Sequence, residues 1–463
     1  MVPTTLTRAE AAHLLRRAGY GGTSAELTAF QGKSLTAAVD AVLGHRASDP
    51  IPLGPNVGTP AFVTQGSSYE AHNDSVNWWL HRMATIAQPS SISTGALPIH
   101  ERMAFFWHDH FACGVDKVGS MPAMWTQLDA FRRWGLGSFD TLVRKASLSS
   151  AMLIYLDNHT NHYFAEQENF ARELMELYTC GVGAFTEADV VSMAKAWTGH
   201  SIVGWNGSSY DRTYEYRAVE HNHNNKTLFG ITANWNGVKV ASSERDTITE
   251  LVYGVRRTQT SRFIARKLFH YFANYWPSEA AVDHLAGVMR ANSMRISPVV
   301  RAIFHHAEFW APTTRYALIK SPVDFVATWL KRIGPANITE VESLGLPGHL
   351  RDMDQELFEP PSVAGWGRGT KWLTSAGAWA RGEFLQAMRH KSVVDNALPQ
   401  IDADDDPLWV VNQLVGFLGL SDVSNNTKVT IREWFQDAAF TASWSIDRNR
   451  GVIAAMAPEF HVH

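Results

Sequence analysis

A mainly α-helical array carrying one small strand-bearing insertion is the fold class this sequence predicts, and three observations predict it. Apolar residues recur at helical spacing in segment after segment, with Ser, Thr, Pro, Gly and Asn standing where caps and stops belong. Only between residues 201 and 245 does the pattern change, to aromatic alternation broken by Asn-Gly pairs, the mark of short strands and hairpins. With 463 residues, 45% of them hydrophobic, the chain can bury a large core, and one helical domain over 1–463 is expected.

Taken in order, Thr7 caps a helix over 7–18 with Ala11, Leu14 and Leu15 inward, and GYGGTSAEL restarts another after a glycine-rich turn. Residues 49–76, rich in Pro, Gly and Ser, read as a surface excursion, and a helix resumes over 76–86. From Pro98, IHERMAFFWHDHFACGVDKV is a helix whose apolar run reaches Phe111, with His108 and His110 in its last turn. Helices are expected over 125–134 and 141–146, then a loop holding Asp157, Asn158, His159 and His162. The stretch 166–199 pairs two helices. On the first, Phe170, Leu174, Leu177 and Tyr178 make one apolar face, with Asn169 and Glu173 on its flank and Glu176 farther round. Gly181 and Gly183 stop it, and Thr186 with Asp189 forms a capping box for the second. Helices return after 245. The Pro/Gly-rich segment 358–372 is expected to close one side of a cleft, with Trp366 and Trp372 as walls, and the acidic run 402–409 reads as a solvated helix start.

Composition removes several classes of function. The net charge is -4, from 41 basic and 45 acidic residues without a basic run, so nucleic acid is not an expected partner. The two cysteines, Cys113 and Cys180, form no CxxC pair, and no Gly-x-Ser-x-Gly elbow or phosphate-binding glycine loop occurs, so no nucleotide cofactor is indicated. No apolar run is long enough to span a membrane and no leader is seen, which makes the cytoplasm the expected setting of the chain as it stands, with export of a longer precursor as the alternative. Oligomeric state has no signal.

The chemistry-bearing residues allow more than one reading. His108, His110, Glu173 and His221 are candidate ligands for Zn, Mn or non-haem Fe, with Glu176 as the base acting on metal-bound water and Asn169 and Arg172 beside it: a metal-dependent hydrolase. The same donor set suits an iron oxygenase. In a helix, however, His-x-His rings diverge by about 200 degrees, so His108 and His110 chelate only if their helix ends near Trp107. Carboxylates drawn from Glu168, Glu173 and Glu176 with Asp109 or Asp157 would instead cleave a glycoside, the 17 Trp and 12 Tyr stacking on sugar rings. Trp107, Lys226, Trp366 and Trp372 are the candidate contacts to a small-molecule or saccharide substrate. Against these stands a plainer alternative, in which the aromatics fill the core and the polar motifs are hydrogen-bond networks of a scaffold or partner-binding protein.

FWHDHF, ENFARELMELYTCGVGAFTEADVVSMAKAWTG, HNHNNKTLFG, FIARKLFHYF, LIKSPVDFV and PPSVAGWGRGTKWL, in this order, resemble motifs of the bacterial domain of unknown function 1800 family, over about His13 to Phe384. The resemblance extends to Arg102, Trp107, His108, His110, Asn169, Arg172, Glu173, His221, Lys226, Lys320 and Trp366, and leaves His223 outside the pattern. It implies no activity, and residues after Lys391 resemble nothing recognised.

Overall fold

The computed structural model describes all residues except 66–67, 204–212, 390, 400–404, 421–422 and 437–453. The fold begins as its caps dictate. Thr7 Oγ1 accepts the Glu10 N–H at 3.2 Å while the Glu10 carboxylate accepts the Thr7 N–H at 2.8 Å, closing a capping box on the helix Arg8–Ala18. Thr186 and Asp189 do the same for the helix Glu187–Ala196.

The surface excursion is shorter than its composition suggests. Helices Ala61–Gln65 and Ser68–Thr85 occupy its second half, and the latter begins in a polar run, SYEAHNDS, that carries no apolar stripe of its own. The following helix, Pro98–His110, is buried on nearly every side, Asp109 being its one partly exposed residue. It packs on Ser68–Thr85 and on Met121–Trp134. Its charged Glu101 is fully buried, receiving Trp79 Nε1–H at 3.0 Å and the guanidinium groups of Arg82 and Arg132 at 2.9 Å. Burial opposes that charge, but the two arginines outweigh it and hold the carboxyl below its usual range.

Beyond Asn169–Glu176 and Glu187–Ala196 the chain enters its only strands among the described residues. His200–Ile202 pairs antiparallel with Tyr214–Tyr216, Lys226–Leu228 antiparallel with Ile231–Ala233, and Trp235–Asn236 parallel with Arg245–Asp246. The Asn-Gly pair at 206–207 lies outside the described residues. Helices Arg257–Phe272, Glu279–Ala291, Ile296–His305 and Pro322–Ile333 complete the array, the last packed against Ser68–Thr85. Part of the acidic run falls outside the described residues, and its end caps a helix: Asp406 accepts the Trp409 N–H at 2.8 Å ahead of Pro407–Phe417. One continuous set of buried apolar side chains runs from Leu6 to Phe460. No helix among the described residues is long and apolar enough to cross a membrane.

Candidate functional site

Chelation by His108 and His110 requires their helix to stop near Trp107. It continues to His110, and the two rings go to different neighbours. His108 Nε2 accepts the Phe358 N–H at 3.1 Å, in an aromatic box of Trp79, Phe358 and Trp366. Burial lowers its pKa to about 4, so it is a neutral acceptor that pins the Pro/Gly-rich segment to the core. His110 donates Nε2–H to the Tyr178 carbonyl at 3.0 Å and accepts from Lys267 Nζ at 3.1 Å through Nδ1, leaving no lone pair for a metal. Burial, chiefly, lowers the Lys267 amine to about 7.

The other helix-borne candidates stand apart as well. Arg172 turns to Glu187 at 2.7 Å and Glu168 at 3.5 Å, and Asn169 is exposed. Glu173 is half-buried, its carboxyl raised by burial and by neighbouring Glu176. Trp107 belongs to the core: it is fully buried and donates Nε1–H to the Gly135 carbonyl at 2.9 Å, which leaves it no face for a substrate. Trp366 and Trp372 do wall a cavity, of about 60 Å³, with Asp109, Arg368, Tyr271 and Asp324 among its other lining residues.

Among the described residues, one group of three His, Cys, Asp or Glu side chains has its donor atoms within 4.8 Å of one another: His221, His223 and Glu244, in the strand-bearing insertion. His221 is thus separated from His108, His110 and Glu173 and joined to two other residues. Local backbone explains the placement. Gly199 ends the 187–196 region at φ 78°, and a Cβ there would come within 2.6 Å of the Arg217 carbonyl and 3.1 Å of the His221 N–H. Glycine alone lets the 217–221 chain lie this close. A short 3-10 turn, Ala218–Glu220, then delivers His221 in extended conformation. In extended backbone, alternate side chains share a side, and the rings of His221 and His223 lie 4.9 Å apart. Lys226, instead of facing a substrate, ties the loop down, donating Nζ–H to the carbonyls of Asn222 and, at 2.9 Å, Trp235. Burial lowers its pKa to about 8.

Each of the three groups is prepared as a donor. His221 is 2% exposed and donates Nδ1–H to the Thr198 carbonyl at 2.9 Å, which fixes the tautomer and leaves the lone pair on a buried Nε2 that has no partner among the described residues. Burial, and then Lys226 and His223, lower its pKa to about 4, so the ring is neutral. His223 is exposed and donates Nε2–H to the Ala218 carbonyl at 2.9 Å, leaving Nδ1 as its donor. Glu244 is buried, which opposes its charge, but N–H groups of Ala241 and Val240, each 2.9 Å from Oε2, together with Asn236, hold its carboxyl below the usual range. Donors around a first-row ion at about 2.1 Å lie about 3–3.5 Å from each other, so this cluster would have to close by about an ångström to hold one, a movement exposed His223 could supply.

The sequence names His221 as a candidate ligand although its Asn-rich loop argues equally for a plain turn, and the family resemblance sets His223 below it. Sequence reasoning missed Glu244, because ASSERD carries no pattern that separates this glutamate from any solvated one. The one available signal was His-x-His in a segment without helical periodicity.

The fold and this cluster together define a mainly helical protein whose candidate metal centre sits in a small strand-bearing insertion. The chain belongs to the family described as protein of unknown function DUF1800, which it matches over residues 13–462. No curated protein and no solved structure matches it.

Proposed function

We propose that the protein is a metal-dependent hydrolase whose divalent ion is bound by His221, His223 and Glu244. The observation that supports this reading is the cluster itself, one ligand atom each of His221, His223 and Glu244 lying within 4.8 Å of one another, on a His221 ring whose Nδ1 is held by a carbonyl and whose buried Nε2 has no partner among the described residues. Two imidazoles and one carboxylate leave coordination positions for water and substrate, and a bound ion lowers the pKa of that water towards neutrality. Glu166, which accepts Asn222 Nδ2–H at 3.2 Å and lies 4.0 Å from Lys195, is assigned as the base in place of Glu176, which is coupled to Glu173 and Arg172. The set suits Zn, Mn or Fe(II), and small molecules or saccharides are the substrates to test.

Protein purified without chelator should carry a stoichiometric divalent ion by elemental analysis, and cleave at least one of a panel of esters, amides, phosphoesters and glycosides. His221→Ala should lose both, and Glu166→Gln only the turnover. Wild-type protein that takes up no stoichiometric Zn, Mn or Fe(II) ends the proposal. A second reading, a structural metal clip, is favoured by the arrival of His223 and Glu244 from separate loops. Under it the ion is present, chelation lowers the unfolding temperature, and no substrate on the panel is cleaved.

A further inference from the structure

The strand-bearing insertion holds a third histidine, His200, outside the candidate metal centre. It is fully buried, its ring 4.8 Å from that of Trp197. A buried imidazole needs partners for both nitrogens, and these come from two other strands: Nδ1 lies 2.9 Å from the Tyr214 hydroxyl and Nε2 lies 2.7 Å from Asn236 Oδ1. Burial lowers the pKa to about 4, so the ring is neutral, with one nitrogen donating and the other accepting.

Asn236 is the junction. Also fully buried, its carboxamide meets His200, the Tyr216 hydroxyl at 3.1 Å from Nδ2, and the carboxylate of Glu244. The charge on Glu244 decides which way the amide points. A carboxylate only accepts, so Nδ2 faces Glu244 and Oδ1 faces the ring; His200 then carries its proton on Nε2 and accepts the Tyr214 O–H at Nδ1. Tyr214, His200 and Tyr216 alone would allow the reverse orientation, but that would set Oδ1 against the carboxylate. The backbone is shaped for this contact. A Cβ at Gly237 would come within 2.6 Å of the Trp197 ring and 2.9 Å of His200 Nε2, so only glycine lets the strand bearing Asn236 lie this close.

From these contacts we infer that His200 is a positioning residue of the metal centre, orienting Glu244 through Asn236 towards the space shared with His221 and His223. The inference rests on the metal-binding reading above. Its physical reason is that the backbone donors to Glu244, Val240 and Ala241, belong to the same loop as the glutamate and move with it, whereas Asn236 ties the carboxylate to buried strands. The relay thereby sets the distance between ligands that arrive on separate loops.

Zinc affinity of the folded protein, measured by competition with a chromophoric chelator, tests this. His200→Leu should weaken zinc binding about tenfold or more, and His200→Gln, whose amide N–H still reaches Asn236 Oδ1, should stay within about twofold of wild type. Tyr214→Phe, which differs by one hydroxyl and leaves the imidazole free to turn, should lose an intermediate factor. A role confined to holding strands together would lower the unfolding temperature of His200→Leu and leave its zinc affinity unchanged. That outcome, equal loss in the Leu and Gln variants, or, where His200→Leu does not fold, unchanged affinity in Tyr214→Phe, overturns the inference and leaves the metal centre standing. Wild-type protein that binds no zinc, manganese or iron overturns both.

Discussion

Two of the three His-x-His pairs in this chain, 108/110 and 221/223, are made opposites by the backbone beneath them. His108 and His110 ride a buried helix, where the ~100-degree step sends one ring to the Phe358 N–H and the other to Tyr178 and Lys267. His221 and His223 follow a 3-10 turn in extended chain, and their rings stay 4.9 Å apart. In the helix every nitrogen assigned a partner is engaged in holding structure. In the loop, one buried nitrogen has no partner among the described residues. Histidine spacing therefore acquires chemical meaning only with its backbone conformation.

The largest effect that would break this contrast concerns the loop pair. His221→Ala should weaken divalent metal binding at least about 100-fold, read by competition with a chromophoric chelator, whereas His108→Ala should leave it unchanged. Equal loss in both variants would erase the distinction. Next in size, His108→Ala should cost about 2–4 kcal/mol in urea denaturation, since it opens a cavity among aromatic rings and leaves the Phe358 N–H without its acceptor.

The helical side also carries a pH signature. Buried His100 and His108 have pKa values lowered to about 4 from 6.5, burial being the main cause. The unfolded chain takes up protons at these rings below about pH 6.5 while the folded one resists until about 4. Stability should thus be full above about pH 7 and decline as pH falls through that window, by up to on the order of 3 kcal/mol for each ring. A flat profile from pH 7 to 4.5 in denaturant titrations would contradict it. The smallest effect belongs to Glu173→Gln. Burial and Glu176 already disfavour its charge, so neutralising it should stabilise the protein by no more than about 0.5 kcal/mol and leave the metal content intact. Loss of metal in that variant would return Glu173 to the site.

Much of the helical fold was legible because its signals are local. Thr7, and Thr186 with Asp189, announce their helices by contacts three residues away, and Phe170 and Leu174 announce a buried face by period alone. The start of Ser68–Thr85 was hidden for the converse reason: its first turns are polar and contain no stripe to count. The candidate site was half legible. His221 stood out, but its company is set by long-range geometry, with Gly199 admitting the loop and Glu244 arriving from 23 residues further on. Trp366 and Trp372 are separable from core tryptophans by their Pro/Gly-rich setting, whereas Trp107 lies inside a periodic helix, the setting of a core residue.

The exposure of His223 has a consequence for redesign. Because its ring packs beside His221 at the surface and makes one backbone hydrogen bond, to Ala218, it is the position at which the metal preference of the proposed centre would be altered without disturbing the helical core. His223→Cys would bias the centre towards zinc, and His223→Asp towards manganese, while the buried donors His221 and Glu244 keep their orienting partners. In this chain the three side chains are thus held with unequal rigidity, His221 and Glu244 built in and His223 exchangeable.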